Sequence, residues 1–318
     1  MLLDIIVPHY NEPWEVVKPF VDMINNQKGI DFNEFRVLII HDGVEKFPEK
    51  YLEGPARIFQ FEKEQAGVSA ARNYGIDISD AKWVNFSDCD DCYSSVFALY
   101  LLFPVLRADE AYDIFWSPFW MIIGNTLKVF NEYQSVFVHN KYYRRSFLNE
   151  KDIRFCERLY MSEDSAFNAV VEKRINKDRV GKIQVHEPVY SWCRRPGSIT
   201  MTPERYIHNM EGHFERNLYV LEECSKYVDG RADLMMVRTL ADVYAQGSLP
   251  WIPGDPEPLL KKAAEFYKLH KITVQDVSEE DLKRIMNVSD LEAGTTDEIR
   301  EKRPSFWDWL DEIEEKYV

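Results

Sequence analysis

Three observations predict an α/β fold with a mainly parallel, doubly covered sheet and a helical C-terminal extension. Short apolar runs alternate with helix-periodic segments through the first 110 residues, the pattern of βαβ units. The runs deliver polar residues at their carboxyl ends, the edge at which open α/β sheets bind ligands. From Pro203 onward the pattern is helical, broken by Gly/Pro segments such as "GSLPWIPGDPEP".

In order, "LLDIIVP" (2–8) reads as a strand and 14–27 as a helix. "FRVLIIH" (35–41) and "RIFQFE" (57–62) read as strands, 68–78 as a helix and "KWVNFS" (82–87) as a strand. The strand ends carry His9, Tyr10 and Asn11, then His41 and Asp42, then Asp88 to Asp91. A middle segment, about 110–200, mixes strands with a helix at 162–173 whose Ser-Glu-Asp start supplies a cap and first-turn acids. Further helices are expected near 203–225, 230–246, 256–270, 277–287 and 305–316. Two domains are expected, 1–200 and 201–318, and "SFWDWLDEIEEKYV" is expected to pack on the first domain or on a second subunit.

With 318 residues, 45% hydrophobic, the chain can bury a sizeable core. Its net charge of −15 weighs against nucleic-acid backbone or anionic membrane as partners. About half of that charge lies in Lys271 to Val318, where 14 acids face 7 bases. Five irregularly spaced cysteines and a start without a basic leader segment predict a reducing cytoplasm, with peripheral attachment to the inner membrane face as the alternative. The longest apolar runs, Val96 to Leu106 and Ile114 to Gly124, each contain a proline and are too short to span a bilayer.

No G-x-G-x-x-G and no G-x-x-x-x-G-K-[ST] occurs, so phosphate would have to be met in another way. "VNFSDCDDCYS" (84–94) places three carboxylates between two cysteines at the end of a strand. Oxygen ligands at this density suit Mg²⁺ or Mn²⁺ escorting a phosphate; a turn and helix-capping cluster is the alternative. Zinc is disfavoured because Cys156, Cys193 and Cys224 are scattered singly, and Cys89 and Cys92 read as packing.

"DIIVPHYNEP" (4–13), "NNQKG" (25–29), "VLIIHDG" (37–43), "AGVSAARNYGI" (66–76), "VNFSDCDD" (84–91), "NKYYRRSFL" (140–148), "IRFCERLYMSEDSAF" (153–167) and "YSWCRRPGSIT" (190–200) together resemble the family 2 glycosyltransferases in order and spacing. The resemblance covers residues 2–200. It implies a GT-A fold, a nucleotide-diphosphate sugar donor, UDP-linked by family frequency, and inversion at the anomeric carbon.

It also implies roles. Asp90 would ligate Mn²⁺ or Mg²⁺, with Asp88 near the ribose or metal and Asp91 supporting either. Pro8, Tyr10, Asn11 and Glu12 would cradle the nucleotide, Asp42 would contact the base, and Arg72 and Asn73 would brace the loop beside the diphosphate. Asp164, preceded by Glu163, would deprotonate the acceptor hydroxyl. Arg194, Arg195 and Ser198 would close over the diphosphate, and His139, Asn140 and Lys141 would touch sugar or acceptor. His41 and Val44 depart from the family's usual aspartate and serine, which leaves the base open. For Arg72 an ion pair to the aspartates, and for Glu163 and Asp164 a helix-start role, are the structural alternatives. His9, His186, Trp116, Trp120 and Trp192 read as structural. The acceptor implied is a glycan or lipid-linked glycan. A binding module without catalysis and a glycosyltransferase acting on a modified nucleobase are the rival readings.

Overall fold

A computed structural model describes residues 1–108, 111–195, 205–227, 232–247 and 255–318. The chain forms two compact units, Met1–Ser198 and Ile199–Val318.

The first unit contains β1 (Leu3–His9), α1 (Trp14–Asn25), β2 (Phe35–Asp42), β3 (Ile58–Lys63), α2 (Val68–Ile78), β4 (Trp83–Phe86), β5 (Cys92–Tyr93) and α3 (Ala98–Ala108). It continues with β6 (Ile114–Trp116), β7 (Phe119–Ile123), β8 (Thr126–Phe130), β9 (Lys141–Arg144), α4 (Arg145–Glu150), α5 (Glu163–Arg174), β10 (Val180–Lys182) and β11 (Tyr190–Arg194). A seven-stranded sheet runs β10-β6-β9-β4-β1-β2-β3, and a four-stranded one β5-β11-β7-β8. In the large sheet β9 alone runs antiparallel to its neighbours, β4 and β6. The strand order reverses at β1, which lies between β2 and β4, and the carboxyl ends of these strands form the switch point beside which open α/β sheets place their ligand crevice.

The main strands are buried on both faces, which explains their continuous apolar runs. On α1, Val17, Phe20, Val21 and Ile24 recur at helical spacing and enter this core. Each such side chain contributes about 1.5–3 kcal/mol by leaving water. Gly75 lets α2 lie close on β1, because a Cβ there would stand 2.4 Å from the Ile6 side chain.

The second unit consists of α6 (Arg205–Tyr227), α7 (Ala232–Gly247), α8 (Glu257–Gln275), α9 (Glu279–Ala293), α10 (Asp297–Lys302) and α11 (Phe306–Tyr317). Ser278, Thr296 and Ser305 cap α9, α10 and α11 through side-chain oxygens, and Gly294 closes α9 in the left-handed conformation. The short α10 is an element the sequence pattern does not announce. Phe306, Leu310 and Ile313 join Leu240, Tyr244 and Tyr267 in this unit's own core. Part of the stripe expected to pack on the first domain or on a second subunit is thus buried within this unit. Among the described residues no helix is long and apolar enough to cross a membrane.

Candidate active site

The acidic turn after β4 splits its three aspartates between two environments. Asp91 points inward, where its carboxylate accepts from the Tyr190 hydroxyl at 2.8 Å and from the Cys193 N–H at 2.7 Å. Burial, with Asp88 and Asp90 close by, pushes its pKa well up. The side chains of Asp88 and Asp90 stay 39% and 20% exposed at the crevice. Asp90 is pushed up to about 6 by burial and by Asp88, against the pull of Arg195, whose Nε donates to it at 2.8 Å.

Arg72 of α2 joins this turn to the start of α5. Its Nη1 donates to Asp164 at 2.6 Å and to Glu163 at 3.0 Å, and its Nη2 to Asp88 at 3.0 Å. The guanidinium lies 5.2 Å from the Phe155 ring and is almost wholly buried. Burial alone would weaken its protonation, but the three carboxylates outweigh it and hold the charge firmly on. One cation shared by three anions leaves a local excess of negative charge. Asp164 answers to it: burial raises its pKa well above the usual carboxylate range against the pull of Arg72, and Glu163 and Asp88 push the same way. The residue before this pair, Ser162, takes the left-handed backbone conformation at φ 62°, which costs about 1–2 kcal/mol.

Glu12 forms a compact turn after β1, its carboxylate accepting from the Tyr10 N–H at 3.2 Å and lying 3.8 Å from Arg195. Tyr10 and Asn11 are exposed and Pro8 is half-buried. Arg194 lies 5.4 Å from the Trp192 ring, and Ser198 falls outside the described residues.

Other predicted residues are engaged by protein groups. Asp42 is buried and accepts from Lys63 at 2.8 Å and from the N–H groups of Ala66 and Gly67 at 2.9 and 2.7 Å. Burial favours its neutral form, but these donors prevail and keep its pKa below the ordinary value. Oδ1 accepts two of these bonds and Oδ2 one, so Oδ2 keeps one acceptor position. Asn73 holds the Phe155 backbone in both directions and donates to Glu157 at 2.9 Å. His139, Asn140 and Lys141 are buried, and Lys141 interacts electrostatically with Asp164. His139 stacks on Tyr190 at 4.8 Å, Asn140 donates to the Ser117 carbonyl at 2.8 Å, and Lys141 donates to the carbonyls of Gln134 and Phe137. Burial pushes Lys141 down to about 7. Direct sugar contact by these three requires them to leave those partners.

Tyr190 and Phe155 fall inside quoted motifs but receive no role there, and Lys63 carries no sequence signal, since each acts across a separation that no local spacing reports. Only the β11 motif hints at Tyr190, which stands 99 positions from the aspartate it holds.

Among the described residues no group of three His, Cys, Asp or Glu side chains forms a ready metal site. The donor set nonetheless suits a hard cation. Asp88 and Asp90 present oxygen at a partly open edge, and burial and the charge of Asp88 raise Asp90 in spite of Arg195. Two carboxylates with substrate phosphates completing the shell is a common mode for Mg²⁺.

The model of Glycosyl transferase family 2 matches residues 4–179, more than half of the chain. The uncharacterized glycosyltransferase EpsJ of Bacillus subtilis is 24% identical over 68% of this chain and 67% of its own length. The minor teichoic acid biosynthesis protein GgaB, also of Bacillus subtilis, is 25% identical over 67% of this chain, which spans about a quarter (26%) of GgaB. Among solved structures, residues 1–349 of TarS from S. aureus in complex with UDP superpose with a TM-score of 0.64 at 19% identity, covering 100% of this chain and 91% of that one. The mannosyltransferase PcManGT of Pyrobaculum calidifontis, in complex with GDP-Man and Mn²⁺, superposes with a TM-score of 0.50 at 14% identity, covering 92% and 87%. The switch point at β1, the acidic turn after β4 and the carboxylate pair opening α5 thus all fall within the matched residues, and the chain belongs to glycosyl transferase family 2.

Proposed function

We propose that this glycosyltransferase moves a sugar from a nucleotide-diphosphate donor, with UDP as the nucleotide, to a hydroxyl of a glycan or lipid-linked glycan, inverting the anomeric centre. The observation that carries the reading is Arg72, which ties the donor-side Asp88 to Asp164 at the helix start. A displacement of this kind needs a base on the side away from the leaving group. UDP bound to TarS and GDP-Man bound to PcManGT support a nucleotide sugar, and the teichoic acid role in GgaB's name supports a polymer acceptor.

Asp164 takes the proton of the acceptor hydroxyl as that oxygen bonds to the anomeric carbon and the bond to the diphosphate breaks. Burial and its anionic neighbours make it a stronger base than a free carboxylate, and Arg72 fixes where it points. Arg195, now on Asp90, exchanges that partner for the diphosphate, whose geometry suits a guanidinium. Asp90 and Asp88 would hold Mn²⁺ or Mg²⁺, which supplies charge against the departing diphosphate. Asp91 serves by fixing the turn, and Asp42 by fixing the segment that leads into α2. The reaction then belongs to the 1–200 portion, in the cytoplasm or at the inner face of the membrane.

Thermal stabilisation by a panel of nucleoside diphosphates, with and without Mn²⁺, tests the donor. A nucleotide at a hundredfold excess over its dissociation constant stabilises the folded state by about 2.7 kcal/mol. UDP with Mn²⁺ is expected to give the largest shift, and Asp90→Asn to abolish its metal dependence. No response to any nucleotide sinks the reading. Asp164→Asn separates an enzyme from a binding module: it keeps the UDP shift and loses transfer.

A further inference from the structure

His9 and His41 close the carboxyl ends of β1 and β2, facing each other across the register of the two strands. Both are buried. Neither takes part in the reaction proposed above, yet His9 sits under the turn formed by Tyr10, Asn11 and Glu12.

Their hydrogen bonds can be counted. Gln60 donates through Nε2 to the Phe47 carbonyl at 3.0 Å and to Glu49 at 3.2 Å, while its Oε1 accepts from the Phe47 N–H at 2.9 Å. These three contacts fix which end of the amide is oxygen. Nε2 of His41, 3.0 Å from that oxygen, must therefore carry hydrogen. At the other end, Nε2 of His9 stands 2.9 Å from the Glu12 carbonyl and must also carry hydrogen. Between the rings the two Nδ1 atoms are 2.9 Å apart, which requires one hydrogen between them. Two neutral imidazoles own two such hydrogens, and this chain of contacts uses three.

We propose that His9 and His41 form a proton-sharing pair carrying one positive charge, and that this pair positions the Tyr10–Glu12 turn for an anionic donor. The alternative, a neutral pair, must either turn two lone pairs toward each other or reverse Gln60 and break its three bonds. His41 is the poorer seat for it: burial first, then the proximity of His9, press its pKa down to about 4. The charged groups around the pair are Glu12 in the turn, Glu62 on β3, Lys46 and Glu49 after β2, and Asp42 at the end of β2 with its partner Lys63 on β3; of these Glu62 favours a proton on His41 and Lys46 opposes it. Through the Glu12 carbonyl the pair sets the turn whose side chain lies beside Arg195. His9 and His41 are positioning residues. That the anion is a nucleoside diphosphate rests on the function proposed above; the hydrogen count does not.

Nitrogen-15 NMR of labelled histidine at about pH 7 reads the count directly. His9 is expected with hydrogen on both ring nitrogens and His41 with hydrogen on Nε2 alone; two neutral rings overturn the proposal. The amide signals of Tyr10, Asn11 and Glu12 are expected to follow the titration of the pair in the wild type, and indifference to it overturns the positioning role. His9→Gln keeps a donor for the Glu12 carbonyl but cannot carry charge. Near pH 6 it is expected to bind UDP about tenfold more weakly than the wild type, with the ratio shrinking toward one by about pH 8.5 as the wild type loses the proton. The nucleotide's own titration is common to both proteins and cancels. A ratio that stays constant with pH overturns the role of the charge. If neither protein binds UDP at any pH, the donor assignment fails, while the ring hydrogens and the turn amides still decide the pair.

Discussion

Acids are handled differently in the core of the helical unit and at the crevice of the first unit. In the helical unit Asp290 receives both arms of Arg303 at 2.7 Å, with Arg300 at 3.2 Å, and Arg303 also lies 4.2 Å from the Tyr244 ring. Asp242 is likewise matched, by Arg238, Ser289 and Asn217. At the crevice of the first unit, by contrast, Arg72 is divided among Asp88, Glu163 and Asp164, and Asp90 has the half-buried Arg195. The first arrangement neutralises charge and serves stability. The second leaves anions in excess, a state that a folded protein tolerates where a cation or a proton is to be received.

The sharpest way to break this contrast is Asp164→Asn. Transfer is expected to fall about a thousandfold, with the thermal midpoint unchanged or raised because a crowded anion is removed. A steady-state rate alongside a melting curve checks both, and a large loss of stability would make Asp164 a structural acid like Asp290. Arg303→Met tests the other side. It strands Asp290 in the core and is expected to cost about 3 kcal/mol in denaturant unfolding, with the affinity for UDP unchanged.

The acid limb of stability sharpens the picture within the first unit. His41 is held below its ordinary 6.5, at about 4, by burial first. A histidine with a lowered folded value contributes stability that is present above 6.5 and lost as pH falls toward 4. Thermal midpoints across that interval should fall more shallowly in His41→Asn than in the wild type. The smallest effect is expected at an exposed matched pair: Lys302→Ala, which removes the partner of Glu298, should change stability by less than about 0.5 kcal/mol.

Much of the sheet was legible in the chain because its strands are short, apolar and local. The strands expected at 35–41 and 57–62 occur at Phe35–Asp42 and Ile58–Lys63, and the helix at 68–78 occurs as Val68–Ile78. The four-stranded sheet was not legible. β5 is two residues long and pairs with β11, almost a hundred positions away, and the alternation in β7 and β8 is too weak to separate from a loop. Within the site the acids stood out because three carboxylates at a strand end demand a partner. The internal fate of Asp91, the engagement of Asp42 by Lys63 and the burial of Lys141 did not stand out, since each depends on groups that local sequence leaves unspecified.

By itself the sequence determined the alternating α/β core, the helical extension, the polar edge and the motifs of a glycosyltransferase. Apolar periodicity and residue chemistry act over a few positions and can be read there. Only the tertiary structure decided which aspartates face outward, that one arginine serves three acids, and that two histidines meet nitrogen to nitrogen. Those properties arise when side chains distant in the chain meet in a space that excludes water, where each donor and each charge must find its partner.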